Sequence, residues 1–127
     1  MNRVLLIEPD KILAAAAVHF LRQRGYRPEP HSDLQQAVMA ADKHRPAAVI
    51  TELQLAGRSG IELLYEFRSY PDWQNLPIVI YTSLRPAQLE PFLPALAEQN
   101  IIVLHKSQAG LSELAQVLEQ VLQPAKA

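Results

Sequence analysis

Four short runs of apolar and β-branched residues, Val4–Ile7, Ala47–Thr51, Leu76–Tyr81 and Ile101–Leu104, punctuate the chain. None shows the in-out alternation of a half-exposed strand, so each reads as a strand buried on both faces. Between them the apolar residues return every three or four positions, the spacing of a helix with one face on a core. Strands of this kind alternating with helices leave one economical architecture, an α/β parallel sheet with helices on both sides and right-handed crossovers.

The punctuation agrees with that plan. Glu8-Pro9-Asp10 ends the first run, with Asp10 a suitable N-cap for a helix carrying Ile12, Leu13, Ala16, Ala17, Phe20 and Leu21, and Gly25 a suitable terminator. Tyr26–His31 is the least regular strand candidate. Pro28 and Pro30 have no ladder donor, so it belongs at a sheet edge. Ser32 with Gln35, and Ser59 with Glu62, have capping-box spacing ahead of the second and third helices. The second helix carries Leu34, Ala37, Val38 and Ala41, and the third Ile61, Leu64 and Phe67. Between Arg85 and Asn100, Pro86 can open a helix, but Pro91 and Pro94 interrupt one, each at a cost of about 3 kcal/mol in a regular interior. A short, kinked or displaced fourth helix follows from that. Leu111, Leu114, Leu118 and Val121 mark a closing helix, and 124–127 is a tail or the start of a linker after a single domain over 1–123.

In the flavodoxin-like strand order 2-1-3-4-5, a three-layer sandwich of five βα units, the switch point lies between strands one and three. That order brings Glu8 and Glu52 together and sets Thr82 and Lys106 beside them. Four polar residues from four strand ends then share one crevice. Twelve basic residues balance thirteen acidic ones, so the domain has no field to draw in nucleic acid or an anionic membrane. No cysteine is present, which removes disulfides, thiolate catalysis and thiolate metal sites. No apolar run reaches membrane-span or signal-peptide length, and a cytoplasmic location is expected. His19, His31, His44 and His105 share no ligand spacing. Ser59 and Ser83 lack a nucleophile elbow, and no glycine-rich phosphate loop follows a strand, so hydrolase and nucleotide chemistry are not indicated. Trp73, beside Tyr70 and Pro71, reads as a loop aromatic over the core edge, with a partner contact as the alternative.

The segments Val-Leu-Leu-Ile-Glu-Pro-Asp, Val-Ile-Thr-Glu-Leu-Gln-Leu-Ala-Gly-Arg-Ser-Gly, Leu-Pro-Ile-Val-Ile-Tyr-Thr-Ser and Ile-Val-Leu-His-Lys-Ser, in this order and spacing, resemble the receiver domain of bacterial two-component response regulators. In that family two acids after strand one bind magnesium, and an aspartate after strand three takes a phosphoryl group. A threonine or serine after strand four contacts the phosphoryl, and a lysine after strand five pairs with it. By position, the resemblance assigns Glu8 to the first acid, Pro9 to the second, Glu52 to the phosphoacceptor, Thr82 to the hydroxyl and Lys106 to the lysine.

Two of those positions depart from the pattern. Glu52 is one methylene longer than aspartate, which displaces its oxygens beyond what in-line phosphoryl transfer tolerates. Pro9 offers no side-chain oxygen, leaving Glu8 as a weak residual magnesium ligand, with Asp10 a doubtful second. Ala56, Val103 and Ser107 depart at three further positions. The resemblance therefore implies a degenerate, non-catalytic pseudo-receiver with no required cofactor, in which Lys106 pairs with Glu52 and the longer carboxylate imitates a phosphorylated aspartate. Its expected partner is a protein, a histidine kinase or an output or effector protein, with homodimerisation through the face of helix four, strand five and helix five. The alternative is a working receiver that still accepts a phosphoryl group with magnesium. The sequence leaves open whether an output domain follows.

Overall fold

In the computed structural model the described residues are 2–55 and 58–122, without the side chains at 58–60, 62, 63 and 66. The expected parallel sheet forms from β1 (Arg3–Ile7), β2 (Arg27–His31), β3 (Ala48–Thr51), β6 (Ile78–Thr82) and β7 (Ile101–His105) in the order β2-β1-β3-β6-β7. Counted over the sheet's own strands this is 2-1-3-4-5. A short antiparallel hairpin, β4 (Gln54–Leu55) with β5 (Arg58–Ser59), stands outside the sheet and is an element the sequence reading lacked.

The sheet is buried on both faces because helices cover both. Leu5, Ile7, Val49, Ile78 and Ile80 point to one side, where α2 (Leu34–Lys43) and α3 (Gly60–Ser69) lie. Val4, Leu6, Ile50, Val79 and Tyr81 point to the other, against α1 (Lys11–Gln23) and α6 (Leu111–Leu122). The strand period of two sorts each run between the two cores, so both faces of these strands are apolar up to Thr51 and Thr82 at the carboxyl ends of β3 and β6.

Two local expectations are refined. The buried stripe of α1 is Ala14, Ala17 and Leu21, whereas Ile12 is 85% exposed. Two residues before Ala14 in the first turn, Ile12 lies on the opposite side of the helix and faces outward. The cap of α2 is Asp33, whose carboxylate accepts from the Gln36 amide at 2.9 Å, and not Ser32. Asp and Ser compete for an N-cap, and the one adjoining the first helical residue takes it. The Ser59 and Glu62 capping box falls on side chains outside the described residues. Gly25 ends α1 with φ +89, the left-handed conformation that glycine adopts without steric cost.

β2 is at one edge of the sheet. The Arg27 amide donates to Asn2 at 2.8 Å and His31 accepts from the Glu8 amide at 2.9 Å, so alternate residues face β1. Pro28 and Pro30 fall on the outer side, where their missing donors break no ladder bond and offer none to another strand. The proline-rich segment is broken as expected. α4 (Pro86–Leu89), a 3-10 turn (Glu90–Phe92) and α5 (Leu93–Glu98) replace one helix, while Leu89 and Leu96 still anchor it to the core. Trp73 is buried in a 3-10 turn against Phe67 and Tyr70, each ring centroid 5.0 Å away, so it covers the core edge.

Candidate functional site

The strand order does what the topology requires at the carboxyl ends of β1, β3, β6 and β7. Glu8 and Glu52 each follow the last residue of a strand, Thr82 ends β6 and Lys106 follows β7. Lys106 Nζ donates to Glu8 Oε1 at 2.6 Å and to Glu52 Oε1 at 3.0 Å. Thr82 Oγ1 donates to Glu52 Oε2. The four residues converge, and three of them are nearly sealed from solvent, with Glu8 7%, Glu52 4% and Thr82 0% exposed. The backbone holds this crevice in place: the Glu52 amide donates to Ile7 at 2.9 Å and the Lys106 amide to Thr82 at 2.8 Å.

Glu52 is the hub. Its Oε2 also accepts from the amides of Leu53 (2.6 Å) and Gln54 (3.1 Å), and its Oε1 from the Ser83 amide (2.9 Å) and hydroxyl (3.0 Å). A carboxylate has about four lone-pair sites, and here all of them face donors from the chain itself. The Ser83 hydroxyl has one proton to share between Glu52 and Gln54 Oε1, which stands 2.9 Å away. Burial works against the charge of Glu52, yet bonds from Thr82, Ser83, Gln54 and Lys106 outweigh it and hold its pKa at about 2, from an ordinary 4.5. For Lys106, burial is likewise outweighed by Glu8 and Glu52, and its pKa is raised.

Asp10 does not join the crevice by any side-chain bond. Its Oδ1 accepts from the amides of Ile12 (2.9 Å) and Leu13 (3.1 Å), which is the helix cap, while its own amide donates to Glu8 Oε2 at 3.2 Å. Among the described residues no group of three or more His, Asp or Glu side chains is placed to hold a metal ion. His105 turns away, with Nδ1 2.8 Å from the Leu84 carbonyl. Sequence reasoning places Ser83 only as a serine near the crevice without a nucleophile's setting, and misses its bonds to Glu52. The tandem Thr-Ser at a strand end is its signal, because the residue after a buried strand terminus presents both amide and hydroxyl to the same point. The double engagement of Lys106 also exceeds the single pairing with Glu52 that the sequence implies.

The family model for the response regulator receiver domain matches residues 4–119. This chain belongs to that family. Receiver domains are signalling modules of two-component systems, and they work through histidine kinases or effector proteins. Among solved structures, the chemotaxis response regulator CheY4 of Vibrio cholerae superposes with TM-score 0.82 at 22% identity, over 96% of this chain and 99% of that one, which shows the same fold. The receiver domain of the sensor histidine kinase PA1611 from Pseudomonas aeruginosa PAO1 superposes with TM-score 0.78 at 26% identity, over 95% and 97%, and carries a magnesium ion in its active-site cleft. Among curated proteins, Protein Rrf1 of Nitratidesulfovibrio vulgaris is 30% identical over 92 residues, 72% of this chain and 65% of that protein. Across the curated relatives the match spans between 15% and 65% of their own length. Among the described residues no helix is long and apolar enough to cross a membrane.

Proposed function

We propose that this receiver domain signals without phosphorylation at the usual position, as a pseudo-receiver acting through protein contact, with Glu52 standing where the family has its acceptor aspartate. One observation carries the reading. The Glu52 carboxylate is bonded directly by the Thr82 hydroxyl and by Lys106 at 3.0 Å, the two groups that in the family meet the phosphoryl. A permanent negative charge in that position imitates the phosphorylated state and fixes one arrangement of the crevice.

The donor set also argues against a working magnesium site. Both carboxylates that would hold the ion are already paired with Lys106, Pro9 contributes no side-chain oxygen, and Asp10 is spent on the α1 cap. Magnesium keeps several waters and takes one or two carboxylates, so binding here requires Lys106 to leave its partners first. No chemical step through a metal is assigned to this chain.

The partner is a histidine kinase or an effector protein, or a second copy, meeting the face of α4, α5, β7 and α6. Phe92 and Leu93 lie there, 40% and 39% exposed on the broken segment. Mass spectrometry after incubation with acetyl phosphate and magnesium tests the phosphorylation claim. The native chain should gain no phosphoryl group under conditions that modify an active receiver; an 80 Da adduct on it (about the mass of HPO3, a tag of the anion that phosphorylation adds) rejects the reading. For the contact face, alanine at Phe92 and Leu93 should weaken association, and unchanged association removes that face.

A further inference from the structure

At the opposite end of the sheet from the crevice, the starts of β1 and β2 border a cavity of about 530 Å³ lined by Arg3, Arg22, Tyr26, Arg27, Pro28 and Glu29. The tight turn after α1 builds it. Gly25, at φ +89, reverses the chain, and the amides of Arg24, Gly25 and Tyr26 close on the carbonyls of Leu21 and Arg22 at 3.0–3.1 Å. Arg22 from the last turn of α1 and Arg27 from the start of β2 thereby reach one cavity, with Tyr26 between them in sequence. These helix-end carbonyls, whose dipole opposes an anion, are met by backbone donors.

The donors in this cavity are open to solvent and unspent. Arg22 and Arg27 are exposed, and among the described residues neither side chain has a hydrogen bond or an ion pair. The half-buried Tyr26 ring packs on the core under α1 and α6, and its hydroxyl has no hydrogen-bond partner among the described residues. Burial and the charge of Glu119 raise its pKa, so it keeps its proton and donates. Arg3 is already bound to the Glu29 carboxylate and the His44 carbonyl. That bond takes Glu29 Oε2 and leaves Oε1 to accept. Arg24 lies over the Phe20 ring at 4.6 Å, beside the same turn. Four arginines thus face two acids, Glu29 and Glu119, and positive charge is in excess.

We propose that this cavity binds a phosphate monoester of a hydroxylated compound, a sugar phosphate. The dianionic phosphoryl group meets Arg22 and Arg27, whose planar forks match phosphate oxygens, and takes the Tyr26 hydroxyl as a third donor. A sugar hydroxyl donates to Glu29 Oε1, whose charge Arg3 holds in check. The cavity falls in the range of small-molecule sites, so the ester's carbon skeleton has room that a bare phosphate leaves empty. The site is independent of the reading of Glu52, since no residue is shared with the crevice at the other end of the sheet.

The test titrates the full chain with glucose 6-phosphate, glucose 6-sulfate and inorganic phosphate in about 0.15 M salt, followed by amide and arginine Nε–H NMR. Glucose 6-phosphate should move the amides of 22–27 and of Glu29 saturably. It should bind about threefold to tenfold more tightly than the sulfate, which has the same skeleton and one charge fewer, and than inorganic phosphate, which has no skeleton. Arg22→Gln and Arg27→Gln alter exposed side chains, so both should unfold in urea as the native chain does, and each should weaken the binding by a similar factor. Lys11→Gln, which removes an exposed cation at the other end of α1, should not. Absence of a saturable shift with glucose 6-phosphate, equal binding of the sulfate or of inorganic phosphate, an affinity unchanged by both arginine variants, or an equal loss from Lys11→Gln each overturns the proposal.

Discussion

Lys106 at the end of β7 stands 2.6 Å from Glu8 at the end of β1, a contact that closes 98 residues of sequence. Two strands, β3 and β6, separate these residues in the sheet, so the pair spans the crevice. The same ammonium reaches Glu52 on β3, and one cation thereby holds two buried carboxylates together. Removing any one of the three changes the charge balance for the other two.

Lys106→Met leaves Glu8 and Glu52 buried and facing each other without a counter-charge. Breaking a buried pair from one side costs about 3–5 kcal/mol. Urea unfolding should show a loss of this order. Adding Glu8→Gln to Lys106→Met should recover part of it, because the repulsion then disappears. Additive losses in the double variant would contradict the shared-cation arrangement.

Glu52→Gln keeps the shape and removes the charge. Its amide nitrogen then faces donors, whichever way the group turns, since both oxygens of Glu52 accept only. We expect destabilisation of at least about 2 kcal/mol, the range for unmet buried polar groups. A variant as stable as the native chain would show that the donors around Glu52 add nothing to the fold.

The same carboxylate sets an acid limit. Its pKa falls from 4.5 unfolded to about 2 folded, so the unfolded chain binds the proton first. Its stabilisation is complete above pH 4.5 and is lost as the pH falls towards 2, about 3 kcal/mol in all at 1.36 kcal/mol per unit. Lys106, raised above 10.5, contributes below that value and loses its contribution as the pH rises through the folded value. Urea midpoints measured from pH 6 down to pH 2.5 should fall more steeply for the native chain than for Glu52→Gln. Parallel curves would contradict the depressed pKa.

Asp10→Ala and Asp33→Ala should each cost about 1 kcal/mol, the usual value of an N-cap. Ser32→Ala should cost little, since Asp33 makes the capping bond. Thermal unfolding of the three variants decides this, and a larger loss for Ser32 than for Asp33 would reverse the assignment.

The sheet was legible because Val4–Ile7, Ala48–Ile50 and Ile78–Tyr81 run without a charged residue or in-out alternation, and only a strand covered on both faces requires that. Strand order then placed Glu8, Glu52, Thr82 and Lys106 at one crevice without knowledge of any contact. Pro91 and Pro94 announced the broken helix, since neither can sit in a regular interior. What stayed hidden depends on orientation at the scale of one residue. Ser32 and Asp33 are both good caps, and a one-residue shift exchanges them. Ile12 has the right spacing for burial yet lies in a first turn that faces outward. Ser83 stands visibly at the end of a strand, but its hydroxyl and amide bonds to Glu52 depend on how the β6 terminus is turned. The hairpin at Gln54–Leu55 and Arg58–Ser59 is too short to carry a strand pattern.

The most direct measurement is a titration of the native chain and of Glu52→Asp with magnesium and beryllofluoride, followed by amide NMR. Glu52 meets Thr82 and Lys106 with its own carboxylate, so the amides of Glu52, Thr82 and Lys106 in the native chain should stay where they are, while the shorter aspartate reopens the space and lets them respond. Saturable shifts at those three amides in the native chain would contradict the account and make this receiver a phosphorylation switch.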